Sequence, residues 1–279
     1  MNILDQIQAR LSAVSETPGL DAQVLLAAVS GRRRAWALAH PEARLTVEQT
    51  AALEAALLRL EGGEPLPYVL GKWEFYGLEF ALSPAVLIPR PETELLVEQA
   101  LGWLRAHPGR RWAADVGTGS GCIAVALAVN IPDLKILASD LSAEALQLAG
   151  DNARRHEVRE RLSLVQADLL PPAGRSFDLI CANLPYVPSR ELMGLKVSAH
   201  EPLLSLDGGP DGLDLIRRLL GGAPESLAPG GLLLLEIEAS QGPASLELAR
   251  AAFPSAALEV LPDLAGFDRL VKVQDRRSA

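Results

Sequence analysis

Asp115-Val-Gly-Thr-Gly-Ser-Gly121 joins an acidic residue to three glycines, between the apolar stretch Trp112-Ala-Ala and the apolar run from Cys122 to Val129. A strand that ends in a carboxylate and passes through glycines into a helix leaves backbone amides and a positive helix end facing outward, where the polar part of a nucleotide can sit. By itself the pattern also suits two elements that merely pack closely. Other features sharpen it. Asp140 lies about twenty positions further on, at the end of a second apolar run, Lys135-Ile-Leu-Ala-Ser139, where a carboxylate would meet the two hydroxyls of a ribose. Asn183-Leu-Pro-Tyr186 follows directly on another apolar run, Phe177-Asp-Leu-Ile-Cys-Ala182. Together they point to a bound methyl donor rather than a dinucleotide.

Such residues need regular elements to hold them, and the pattern supplies an alternation. Strands are predicted at Lys135–Ser139, Leu162–Gln166 (running on to Asp168) and Phe177–Ala182, with a helix at Ala143–Arg155. A helix over Leu213–Leu227 precedes an apolar strand, Gly230–Glu238. A helix near Ala244–Ala252 and short strands near Leu258–Leu261 and Arg269–Val273 complete the series. This alternation predicts an α/β fold with a doubly wound, mainly parallel sheet whose ligands sit at the carboxyl ends of the strands. Asp115, Asp140, Asp168 and Asn183 all fall at such ends. Each alone is more often a helix cap or turn former; in succession they mark one edge of a sheet.

The chain before the glycine loop has a different character. Ile3, Leu4, Ile7, Leu11 and Val14 recur at helical spacing, Thr17-Pro-Gly breaks the pattern, and Leu20, Val24, Leu25, Ala28 and Val29 resume it before Gly31. A longer helix is predicted at Val47–Glu61, entered through Thr46 as a cap and stopped by Gly62-Gly63. Arg32-Arg-Arg34 reads as solvated surface. Trp73 to Leu82 alternates around Gly77, as a β-hairpin does. In Ile88-Pro-Arg-Pro-Glu-Thr-Glu94 the prolines fix an extended approach to a helix whose first turn holds Glu92 and Glu94. On pattern alone, helix-start chemistry and a pocket-lining role for Arg90 and Glu92 stand equal. These changes divide the chain into a helical part, residues 1–72, a hairpin linker, 73–90, and an α/β domain, 91–279.

Composition bounds the function. At 279 residues, 49% of them hydrophobic, the chain has material for a large α/β core and a small companion domain. A net charge of −9 argues against a protein that holds nucleic acid through a broad phosphate-binding face. Cys122 and Cys181 lie in apolar runs and read as buried thiols. No metal-ligand spacing accompanies them, and none of His40, His107, His156 and His200 sits in an acid–base motif. No membrane-length apolar segment is present and the first residues lack a leader pattern, so a cytoplasmic, monomeric protein is expected.

The ordered set Ile88–Glu94, Asp115–Gly121, Asp140, Asp168, Asn183–Tyr186, Glu201-Pro202 and Asp207-Gly-Gly-Pro-Asp-Gly-Leu213 resembles the peptide chain release factor glutamine methyltransferases, the PrmC or HemK family. The resemblance spans nearly the whole chain. It implies a class I methyltransferase-like, seven-stranded sheet with S-adenosylmethionine as cofactor and, as substrate, the glutamine of the GGQ motif in release factors. It also implies that the helical domain recognises the substrate. The cofactor would be held by Asp115, Gly117, Thr118, Gly119, Ser120, Gly121, Asp140 at the ribose, Asp168 at the adenine edge, and Asn183. The acceptor amide would meet Asn183, Leu184, Pro185 and Tyr186, with Arg90 and Glu92 nearby and no metal. The family usually has two prolines after the asparagine; here the first is Leu184.

That loop suits its implied task. A carboxamide nitrogen is a poor nucleophile because its lone pair is delocalised, so it must be oriented. The Asn183 side-chain oxygen and the Leu184 carbonyl can each accept one of its N–H groups, and Tyr186 can wall its flat face. The amino groups of nucleic-acid bases pose the same problem, and Asn-Leu-Pro-Tyr also resembles the loop of ribosomal RNA adenine dimethylases. A base methyltransferase is therefore the alternative. The acidic balance, the amino-terminal helical part and a glycine loop without proline weigh against it. A non-catalytic module that kept only the fold is a further class, and the intact Asn183–Tyr186 loop weighs against that.

Overall fold

In the computed structural model residues 2–40, 42–171, 176–194 and 199–277 are described. The chain divides between Trp73 and Glu74 into two units. In the first, α1 (Ile3–Leu11) starts where the Asn2 side chain accepts the Asp5 amide, and α2 (Pro18–Ser30) has Pro18 at its first position and closes on Gly31 at φ 66°. After α3 (Arg34–Ala39), Thr46 and Gln49 form a reciprocal capping box that opens α4 (Val47–Glu61). A single helical turn, α5 (Leu66–Leu70), ends the unit. Ile7, Leu11, Leu25, Leu26, Leu53 and Leu57 make its core. Sequence periodicity does not predict α3 or α5, because elements of six and five residues are too short to show a helical period.

A hairpin follows, β1 (Lys72–Phe75) and β2 (Leu78–Ala81). Its two turn residues, Tyr76 and Gly77, both have positive φ, 52° and 71°, as the favoured two-residue hairpin turn requires. A tyrosine there is strained, and Glu94 compensates by accepting the Tyr76 amide at 2.8 Å.

The second unit is built on a seven-stranded sheet in the order β5-β4-β3-β6-β7-β9-β8. Its strands are β3 (Trp112–Val116), β4 (Lys135–Asp140), β5 (Leu162–Gln166), β6 (Phe177–Ala182), β7 (Leu227–Glu236), β8 (Ala257–Pro262) and β9 (Asp268–Gln274). The first five are parallel, and β9 runs antiparallel to β7 and β8. Helices α6 (Glu94–Ala106), α7 (Cys122–Asn130) and α8 (Ala143–Arg155) lie on one side. On the other lie α9 (Asp214–Ser226) and α10 (Gly242–Ala252). Strand periodicity divides β7 between the two cores: Leu232 and Leu234 join the first, Leu233 and Leu235 the second. β7 begins earlier than expected, at Leu227. Its Pro229-Gly230 kink is a register shift within the strand, with Leu227 paired to Phe177 before the pairing resumes at Leu232. It also ends earlier, at Glu236, since the Glu238 carboxylate caps the short 3-10 turn Ala239–Gln241.

Asp140 and Glu236 end their strands, and Asn183 comes directly after β6, so parallel pairing brings all three to one edge. Among the described residues no helix is long and apolar enough to cross a membrane.

Candidate functional site

Gly117, Gly119 and Gly121 have φ of 71°, 54° and 80°, a conformation that side chains resist. The amides of Gly117 and Thr118 both donate to the Ser139 carbonyl at 2.9 Å, and that of Gly119 donates to Asp140 Oδ2 at 2.9 Å. The loop is thereby fastened to the end of β4. A Cβ on Gly121 would lie 3.0 Å from that of Ala149, so this glycine serves close packing of α8. A Cβ on Gly119 would meet nothing within 4 Å and would project into open space.

Asp115 sits beneath the loop. Its Oδ2 accepts the Thr118 hydroxyl at 2.6 Å and the Ala124 amide at 3.2 Å, tying β3 to the loop and to the first turn of α7. Burial raises its carboxyl to about 6 against those two hydrogen bonds. It does not line the cavity above.

That cavity has a volume of about 700 Å³, within the range of small-molecule sites. The backbone from Gly117 to Ser120 forms one wall. Asp140 lines it too, its Oδ1 accepting the Ser142 amide at 2.9 Å, so both carboxylate oxygens are fixed by backbone donors. Asp168 stands further along, paired with Arg218 at 2.6 Å. Asn183, Leu184, Pro185 and Arg90 line it as well. Tyr186 lines a smaller adjoining cavity of about 140 Å³ that shares Arg90, Asn183 and Leu184. Glu92 is exposed and lines neither; in the 3-10 turn Pro91–Thr93 the residue turned inward is Thr93.

The Asn183–Tyr186 loop is braced from several sides. Asn183 Nδ2 donates to Thr93 Oγ1 at 3.0 Å, leaving the side-chain oxygen free of protein donors among the described residues. The Leu184 side chain is buried, and its Cδ2 lies 3.1 Å from where a Cβ of Gly117 would stand. Gln241 Nε2 donates to the Tyr186 carbonyl at 2.9 Å, and the Tyr186 hydroxyl donates to Glu236 Oε1 at 3.4 Å. The glycines of Asp207–Leu213 pack against this loop so closely that a Cβ on Gly212 would fall 2.2 Å from the Tyr186 carbonyl oxygen.

Two buried carboxyls flank the loop. Glu201 takes Arg90 Nη2 on both oxygens, at 2.8 and 2.7 Å; burial pushes its carboxyl up and Arg90 pulls it down. Glu236 is raised to about 7, by burial first, opposed by the adjacent Thr93 hydroxyl and Arg269. Sequence periodicity does not single out Thr93 or Gln241 as site residues. Glu236 carries one signal, a carboxylate ending an apolar strand like Asp140, that strand patterning alone does not distinguish from a turn former.

A doubly wound sheet with a glycine loop, acidic strand ends and an asparagine loop around one cavity defines a class I methyltransferase fold. Consistent with it, the ribosomal protein L11 methylase of Lactobacillus delbrueckii subsp. bulgaricus superposes with a TM-score of 0.51 at 23% identity, covering 70% of this chain and 84% of that one. The methyltransferase small domain profile matches residues 92–198, and that of the PrmC N-terminal domain residues 2–71. The release factor glutamine methyltransferase of Moorella thermoacetica is 45% identical over 257 residues, 91% of this chain and 90% of its own. That of Koribacter versatilis is 42% identical over 264 residues, 93% and 92% respectively. The chain belongs to the release factor glutamine methyltransferase family.

Proposed function

We propose that the protein transfers a methyl group from S-adenosylmethionine to the side-chain nitrogen of the GGQ glutamine in peptide chain release factors. The observation that carries this reading is the Asn183 carboxamide at the cavity wall, held through its nitrogen by Thr93, with its oxygen receiving no protein donor among the described residues. The relatives, alike over nine-tenths of their length, favour a protein acceptor over a nucleic-acid base. The amino-terminal helical domain, residues 1–72 with the 73–90 hairpin after it, is read as the part that recognises the factor, and 91–279 as the part that carries the chemistry. With that substrate the protein acts in the cytoplasm, and its charge of −9 fits a partner other than nucleic acid.

The residues fit the donor. The backbone of Gly117 to Gly121 leaves space above Gly119 for its amino-acid end, and Asp115 holds that backbone from below. Asp140, with both oxygens already fixed, retains lone pairs for a ribose diol. Asp168 keeps acceptor capacity beside Arg218 for an adenine amino group. When bound, the donor supplies an electrophilic methyl on a sulfonium centre.

The acceptor side is the work of the protein. Asn183 Oδ1 accepts one N–H of the glutamine amide and the Leu184 carbonyl the other, which fixes the nitrogen and stabilises the positive charge that grows on it. Pro185 stiffens the loop and Tyr186 forms an apolar wall. Arg90, anchored on Glu201, is placed to hold the backbone of the incoming loop.

Labelled donor incubated with intact release factor, a short GGQ peptide or ribosomal RNA tests this. Label on the glutamine nitrogen of the factor is expected, with the peptide a poorer acceptor because it offers the helical domain nothing to grip. Label in the RNA would overturn the reading. Leu184→Pro tests the unusual loop. The Leu184 amide donates no hydrogen bond among the described residues, so proline removes none and keeps the accepting carbonyl. Single-turnover transfer within about fivefold of wild type is expected; a larger loss would mean that the leucine side chain itself orients the acceptor.

A further inference from the structure

The hairpin of β8 and β9 ends in the turn 263–267, closed by the pair Pro262 and Asp268. Asp263 builds this turn from within. Its Oδ1 accepts the amides of Ala265 at 2.9 Å and Phe267 at 3.0 Å, and its own amide donates to the Phe267 carbonyl at 2.8 Å. Gly266 supplies the positive φ, 84°, that the reversal needs. With its one charged side chain spent on internal bonds, the turn leaves Leu264, Ala265, Gly266 and Phe267 exposed. Leu264 is fully exposed, and Phe267, at 59%, is the one exposed aromatic side chain among the described residues. A braced turn that holds a leucine and a phenylalanine in water adds no apolar burial to the fold, and grouped exposed apolar side chains mark interaction sites.

The turn lies on the sheet edge that carries the site. β9 runs antiparallel to β7 and so starts where β7 stops: Leu270 pairs with Glu236, which accepts the Tyr186 hydroxyl at 3.4 Å. Arg269 Nη1 donates to the Ile237 carbonyl at 3.3 Å, and the Ile237 amide donates to the Arg269 carbonyl at 2.9 Å, so the hairpin is bonded to the chain just beyond Glu236. β9 is two strands from β6 in the sheet order. That spacing puts it about 10 Å across from Asn183, with the turn about 10 Å further out along the strand direction. A protein that delivers a side chain to Asn183 through a standard interface of about 800 Å² per partner, roughly 30 Å across, reaches this turn.

We propose that the turn 263–267 is a docking surface for the protein acceptor, seating Leu264 and Phe267 against an apolar patch beside the methylated loop of the release factor. The proposal rests on the methyl-transfer reading above. A protein fits this surface better than a nucleic acid. The cation nearest in sequence, Arg269, has Nε and Nη2 on Asp263, both at 3.2 Å, and Nη1 on Ile237, which leaves it committed within the hairpin rather than offered to a phosphate. Apolar side chains on a braced backbone lose little freedom on binding, so they contribute to affinity for the factor and not to the chemical step.

Paired substitutions test this in the full-length protein. Leu264→Ser with Phe267→Ser leaves Asp263 and the bonds of the turn in place. It should raise KM for an intact release factor about tenfold with kcat and donor affinity unchanged, the pattern of binding lost equally from ground and transition states. Transfer to a short GGQ peptide, which lacks the folded surface of the factor, should be unaltered, and this also shows that the site is intact. Leu264→Met with Phe267→Leu keeps the apolar surface and should behave as wild type. Cys122 and Cys181 are both buried, so Leu264→Cys can carry a benzophenone, which on irradiation should cross-link to the factor. An unchanged KM for the factor in the serine pair, an equal loss with the peptide, or a cross-link to a second copy of the enzyme or to ribosomal RNA in place of the factor overturns the docking surface. A wild type that labels no release factor sinks the methyl-transfer reading and the docking surface with it. A wild type that labels the factor, beside a serine pair with the same KM, sinks the docking surface alone.

Discussion

Asn183→Ala is expected to slow single-turnover methyl transfer by about 100-fold or more while changing donor affinity far less. The substitution deletes the side-chain oxygen proposed to receive one N–H of the acceptor. It also deletes the amide donor that holds the loop to Thr93 at 3.0 Å. Orientation and charge stabilisation are lost together, and both act on the reacting nitrogen rather than on the donor. An acceptor binding curve and a rate measured on the same preparation separate the two effects. Transfer at near wild-type rate would make this loop a structural element and move the search for the acceptor site to Arg90 and its surroundings.

For the donor, the large effect is assigned to Asp140. Asp140→Ala should weaken S-adenosylmethionine binding by about 1–3 kcal/mol, the worth of a pair of charge-assisted hydrogen bonds. Part of that loss comes from the protein itself, since the carboxylate also receives the amides of Gly119 and Ser142, both at 2.9 Å. Asp140→Asn retains one acceptor oxygen and should fall between alanine and wild type. Titration calorimetry decides it, and an unchanged dissociation constant in both variants would place the ribose elsewhere along the edge.

The regular elements near the site were largely legible because their signals are local. α4 carries a cap, a helical stripe and a glycine stop, and its bounds are those read from the sequence. The same holds for α8 and β6, which are long enough to show a period and are bounded by turn formers, whereas β5 stops at Gln166, two residues short of the expected end at Asp168. The family followed from ordered motifs no single one of which is specific. What stayed hidden depends on contacts between distant segments. No periodicity relates Thr93 to Asn183 or Gln241 to Tyr186; their hydrogen bonds span 90 and 55 positions. Asp115 was grouped with the cavity residues because it precedes the glycines, but it lies one residue before the end of β3, and alternation turns it into the protein. Glu92 and Thr93 show the same limit, since the choice of inward neighbour depends on how the 3-10 turn is seated.

The meeting of Leu184 with Gly117 has a thermodynamic consequence. One residue belongs to the loop proposed to receive the acceptor, the other to the loop assigned to the donor, and the leucine side chain packs into the space that a Cβ on Gly117 would crowd. On the proposed assignment the two ligands are read by neighbouring, packed surfaces, and a shift of either backbone alters the packing of the other. Whatever preference the acceptor shows for the donor-loaded protein must reappear, at the same free energy, as a tighter hold on the donor once the acceptor is seated. The same reciprocity applies to the demethylated product, whose hold on the protein sets how readily a finished release factor departs.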